Sequence, residues 1–78
     1  MKNLADKCTK GILLEPRDEF DVAVVEVRKG YAVYSYEALM IVLMFQFDND
    51  WDVAQEWLEY NIVGMESPTT FRIKRDLP

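Results

Sequence analysis

Val22-Ala23-Val24-Val25-Glu26-Val27-Arg28-Lys29-Gly30-Tyr31-Ala32-Val33-Tyr34 is the stretch on which the fold turns. Four of its first six residues are valine, and β-branched side chains lose χ1 freedom in a helix but pack well on a pleated surface. Lys29-Gly30 then offers a tight reversal before Tyr31-Ala32-Val33-Tyr34, so the stretch reads as a β-hairpin. In that hairpin Val25 and Val27 are expected on one face, with Val33 as their cross-strand partner. A helix competes, because Phe20, Ala23, Val24 and Val27 fall at i, i+3, i+4 and i+7. The valine density decides for strands.

Beyond the hairpin the period changes. Ser35 can cap a helix starting at Tyr36, with Glu37 in its first turn, and the helix is expected to run to about Phe47. Asp48-Asn49-Asp50 breaks it, and Asp50 caps a second helix from Trp51 to about Asn61, which Gly64 ends. Phe71 and Ile73 alternate with Arg72 and Lys74, the mark of a third strand. The expected fold is α+β: a small antiparallel three-stranded sheet with a two-helix hairpin packed on one face, in the order β-β-α-α-β. Upstream, Glu15-Pro16-Arg17-Asp18-Glu19 suits a short turn. Residues 1–14 show no clean period and read as an N-terminal arm that docks late, leaving 15–78 as a single domain.

Several landmarks of this pass resemble a known group. Glu15-Pro16-Arg17, Phe20-Asp21, Val33-Tyr34-Ser35-Tyr36, then Leu39, Leu43 and Met44, are followed by Ala54, Glu56-Trp57, Glu59-Tyr60-Asn61, Gly64 and Pro68-Thr69. Together they resemble small acidic bacteriophage-encoded proteins over roughly residues 15–73. The resemblance implies the same element order and a phage setting, and it brings no chemistry with it. Asp48-Asn49-Asp50 stands where that group has a more neutral turn.

Charge narrows the function classes. Nine Lys plus Arg against 14 Asp plus Glu leave a net charge of −5, and the excess is segregated. Residues 48–66 hold Asp48, Asp50, Asp52, Glu56, Glu59 and Glu66 with no base among them. Nucleic acid and anionic membrane both demand clustered Lys and Arg, so direct binding to either is not expected. The longest apolar run, Ala38 to Phe45, is too short to span a bilayer, and no leader pattern stands at the start, so a cytoplasmic location in a host bacterial cell is expected. With one Cys there is no intrachain disulfide, and so short a chain needs dense packing or oligomerisation.

The sequence encodes no evident reaction. There is no His, no glycine-rich phosphate cradle and no activated serine, so the chain is expected to be non-enzymatic and to use no cofactor. Cys8 lacks a neighbouring base and reads as an incidental thiol. Asp48, Asp50, Asp52 and Glu59 imitate a calcium loop, but Val53 stands where glycine must turn and the segment is itself helical, so they read as a cap and solvated acids. Zinc lacks ligands altogether.

Two features exceed a plain fold. Asp52, Glu56 and Glu59 lie at i, i+4 and i+7 on the second helix, with Asp48 and Asp50 at its approach and no cation on the helix to relieve them. That stripe, with Trp51 and Tyr60 and also Tyr34 or Tyr36 as aromatic anchors, is the expected partner surface, and a host protein with a basic groove is the expected partner. The first helix, for its part, is apolar on every side, which points to self-association as a homodimer with Met40 and Met44 at the contact. The reading is thus a phage-type interaction protein that modulates or inhibits a host nucleic-acid-handling or defence protein. The alternatives are a self-associating structural or assembly accessory and an acidic antitoxin.

Overall fold

A computed structural model describes residues 3–75 of the chain. Its elements run α1 (Arg17–Phe20), β1 (Val24–Arg28), β2 (Tyr31–Ser35), α2 (Tyr36–Gln46), α3 (Trp51–Asn61) and β3 (Arg72–Lys74), with 3-10 turns at Leu4–Lys7, Asp21–Ala23 and Val63–Met65. The class is α+β and the order β-β-α-α-β, as the sequence implies.

Lys29 at φ 54° and Gly30 at φ 91° are both left-handed, which matches the twist a two-residue hairpin needs. Arg28 pairs with Tyr31 across the turn. The register further along differs from expectation, because the pairing shifts between Val24 and Glu26 and leaves Val25 as an extra residue. Val24 therefore opposes Tyr34, Val27 opposes Ala32, and Val33 faces Glu26 rather than a valine.

The sheet is mixed, not wholly antiparallel. β2 is central and β3 joins it in parallel, with Val33, Tyr34 and Ser35 opposite Arg72, Ile73 and Lys74. Parallel neighbours need a crossover of a dozen or more residues, and the α2–α3 hairpin supplies one between β2 and β3. β2 does not alternate: Ala32, Val33, Tyr34 and Ser35 are all buried, as in a strand covered on both faces.

Both long helices begin where their caps dictate. Ser35 Oγ accepts from the Ala38 N–H at 3.2 Å, and Asp50 Oδ1 accepts from the Val53 N–H at 3.2 Å. Gly64 does not close α3; Ile62 is its C-cap, and Gly64 falls inside the following 3-10 turn. One core joins the layers: Leu39, Met40 and Leu43 of α2 meet Ala54 and Leu58 of α3, Ile62, and Tyr34, Phe71 and Ile73 of the sheet side.

Residues 3–14, read as an arm, are packed into this body. Ala5 and Leu14 belong to the core. The Thr9 and Lys10 N–H groups both donate to the Gly30 carbonyl at 3.0 Å, Ile12 N–H donates to Thr70 O at 3.2 Å, and Leu14 N–H donates to Tyr34 Oη at 2.8 Å. Arg17 ties the same segment to α1 and the turn after it, reaching Asp6 at 2.6 Å and the nearly buried Asp21 at 3.0 Å. A segment without amphipathic period is held here by backbone bonds and a few apolar anchors, which periodicity does not register.

Candidate functional site

The α2–α3 connection and α3 itself carry the acids. Phe47 closes α2, and Asp48 and Asn49 follow with φ 54° and 62°. Asx residues accept the left-handed region more readily than other side chains. Asn49 N–H donates to Met44 O at 2.7 Å and Asp50 N–H to Phe47 O at 3.0 Å, so the acid-rich turn is hydrogen-bonded into place.

On α3, Ala54 and Leu58 face the core while Asp52, Glu56 and Glu59 are exposed. At about 100° per residue the three carboxylates form one stripe, with Trp51 on one side of it and Val53 and Tyr60 on the other. Trp51 is 51% exposed and Tyr60 81%. Among the described residues no ion pair involves Asp48, Asp50, Asp52, Glu56 or Glu59; the pairs present are Arg17 with Asp6 and Asp21, Arg28 with Glu26, and Arg72 with Glu66. The structure thus brings the expected acids and both aromatic residues onto one exposed region.

Of the other two expected anchors, one lies in the core and one reaches the stripe through its hydroxyl. Tyr34 is fully buried, edge-on to Phe71 with ring centroids 5.4 Å apart, and serves the core. Tyr36 is half-buried and donates its hydroxyl to Glu59 Oε2 at 2.9 Å, which links the start of α2 to the stripe. Burial, and then this bond to Glu59, push the Tyr36 phenol up from its ordinary pKa. The Arg75 guanidinium lies 5.0 Å from the centroid of the same ring, within cation–π range.

Along α2 runs a mostly apolar groove of about 250 Å³, lined by Tyr36, Glu37, Met40, Ile41 and Met44 of that helix and by Trp51 at the start of α3. Met40, expected at an open self-association contact, is only 2% exposed and belongs to the core and the groove floor; Met44 is half-buried. The exposed apolar residues of α2 are instead Ile41 at 57% and Phe45 at 80%. A helix apolar on every side announces that some face will be left uncovered, but its sequence does not say which one.

Cys8 is a free, half-buried thiol. Burial pushes its thiol up, against the opposing pull of Arg17, so the nucleophilic thiolate is disfavoured. Among the described residues no group of three or more His, Cys, Asp or Glu side chains converges as metal ligands would, and no helix is long and apolar enough to cross a membrane. Comparison with protein-family models, with curated proteins and with solved structures finds no match to this chain, so none of the three bears on the phage-protein pattern.

Proposed function

We propose that the chain is a non-enzymatic, phage-type interaction protein that acts in the host bacterial cytoplasm by occupying the basic groove of a nucleic-acid-handling or defence protein. The observation that carries this reading is the exposed carboxylate stripe Asp52, Glu56 and Glu59, which has no ion-pair partner among the described residues and is flanked by Trp51 and Tyr60. A groove built to receive phosphates presents ordered cations, and a rigid row of carboxylates on a helix can take the place of those phosphates. The aromatic side chains on either side supply the area that charge alone does not, since interface energy concentrates in buried aromatic anchors.

The test is a triple variant, Asp52→Asn with Glu56→Gln and Glu59→Gln, compared with the native chain for capture of bacterial proteins. Glutamine at 59 keeps an oxygen for the Tyr36 hydroxyl, so the fold is retained. Partners should be lost from the variant, and native capture should weaken as salt rises from about 50 to about 500 mM, because the Debye length shortens from ~14 to ~4 Å. Equal capture by both chains at both salt levels would refute the reading. A mass of twice 9.2 kDa in sedimentation, independent of the acids, would favour the assembly accessory instead.

A further inference from the structure

The Glu59 end of the stripe adjoins a feature that the stripe does not itself explain. The groove along α2 is lined mostly by apolar side chains, with two acids at its rim: Glu37 lines it directly and Glu59 is bonded to its Tyr36. α2 carries no Lys or Arg to offset Glu37. We infer that this groove receives a basic amphipathic helix of the partner protein, whose apolar row seats against Met40, Ile41, Met44 and Trp51 while its flanking Lys and Arg meet Glu37 and the Glu59 end of the stripe. The inference rests on the interaction reading above and specifies what part of the partner is held.

Three observations select that occupant. The first is length: Tyr36 to Met44 spans about 12 Å of helix, matching the ~10 Å between the i and i+7 anchors of a docked helix. The second is chemistry already visible at the rim, where the chain's own Arg75 guanidinium lies over the ring of Tyr36, whose hydroxyl is bonded to Glu59. The Tyr36 ring thus already accepts a guanidinium, the group that an arginine of a basic helix would bring. The third is charge. A second copy in the groove would bring an identical acidic rim against this one, and like charges oppose that association, whereas a cationic helix is drawn to it.

The probe is a synthetic helix with Leu at i, i+3, i+4 and i+7 and Lys and Arg elsewhere, set against a control of the same composition with its leucines scattered round the helix. Binding is read from tryptophan fluorescence and from the methyl signals of Ile41, Met40 and Met44. The patterned peptide should bind at least about tenfold more tightly than the control and shift the Ile41 and Met44 methyls, and Ile41→Ser should remove about tenfold of that affinity. Ile41 is largely exposed, so this variant keeps its core, which circular dichroism checks. Equal binding of the two peptides, with Ile41→Ser indifferent, would overturn the groove; loss of that binding on neutralising Asp52, Glu56 and Glu59 would still leave the acidic-face reading standing. Binding of the patterned peptide that ignores both salt and the triple neutralisation would overturn the choice of a basic partner and the acidic-face reading with it. Methyl shifts that depend on protein concentration without peptide would place a second copy in the groove and overturn the inference.

Discussion

Tyr34→Phe removes one oxygen atom and tests how the N-terminal segment is held. The Leu14 N–H donates to Tyr34 Oη at 2.8 Å in a buried position, and both residues belong to the core. Phenylalanine preserves the ring and its edge-on packing with Phe71 but leaves the Leu14 N–H without its acceptor. A buried donor so stranded costs about 1–3 kcal/mol. For a domain of this size each kcal/mol lowers the melting temperature by roughly 4–8 °C. Urea unfolding should show a lower midpoint at unchanged slope, and the Leu14 amide should exchange faster with solvent. A variant as stable as the native chain, with Leu14 equally protected, would refute the packing of this segment.

The same residue fixes a pH dependence. Burial pushes the Tyr34 phenol up, against the opposing pull of the Leu14 hydrogen bond. An unfolded tyrosine ionises near pH 10, so above about pH 10 the unfolded chain has lost a proton that the folded chain retains. Stability from Tyr34 is therefore complete below about pH 10 and declines as pH rises toward the elevated folded value. The phenylalanine variant lacks this decline, so the stability gap between the two proteins should narrow in alkali. A gap that widens there would reverse the sign of the argument.

Gly11 is at φ +76°, and a Cβ there would run into the Thr70 carbonyl oxygen and lie 2.7 Å from Tyr31 Cδ1; Gly11→Ala should destabilise the fold by more than the ~1–2 kcal/mol of left-handed strain alone, read as a lower urea midpoint. Asp50→Ala should destabilise by about 0.5–2 kcal/mol through loss of the α3 cap, while Asp50→Ser keeps the cap and should restore most of that stability in the same melt. Glu56→Gln should raise stability by about 0.4–1 kcal/mol by removing two like-charge neighbours on the helix and should weaken partner capture, a combination that a purely solvating residue would not produce.

Much of this fold is written in short-range signals. Ser35 and Asp50 announce the helix starts because a side-chain oxygen must meet an early N–H, and Lys29-Gly30 announces the turn because glycine reaches positive φ freely. The orientation of β3 is not written that way: Phe71 and Ile73 alternate identically in a parallel or an antiparallel strand, and only the three-dimensional path of α2 and α3 decides between them. The bulge at Val25 hides among valines, any of which suits either face. Tyr34 is legible as a strand residue but not as a core residue, since alternation does not show that β2 is covered on both faces. Of the candidate site, the acid stripe follows from helical spacing, whereas the groove beside it depends on how α2 is rolled, and α2 is apolar in every direction.

The acids differ in how far the fold itself accounts for them. Asp48 sits in a left-handed turn that favours Asx residues. Asp50 caps α3, and Asp52 lies in the first turn, where the helix dipole favours a carboxylate by about 0.3–1 kcal/mol. Glu59, toward the C-terminal end where the dipole opposes it, has the Tyr36 hydroxyl as a donor. Glu56 has none of these. It lies past the first turn, makes no hydrogen bond or ion pair among the described residues, and has Asp52 four residues before it and Glu59 three after, spacings at which like charges destabilise a helix. Four of the five acids thus have a structural reason for their place beside a role in meeting a partner. The case for one is strongest at Glu56, which costs the isolated fold stability and lies beside the exposed Tyr60, and it is at this position that stability and binding should part company.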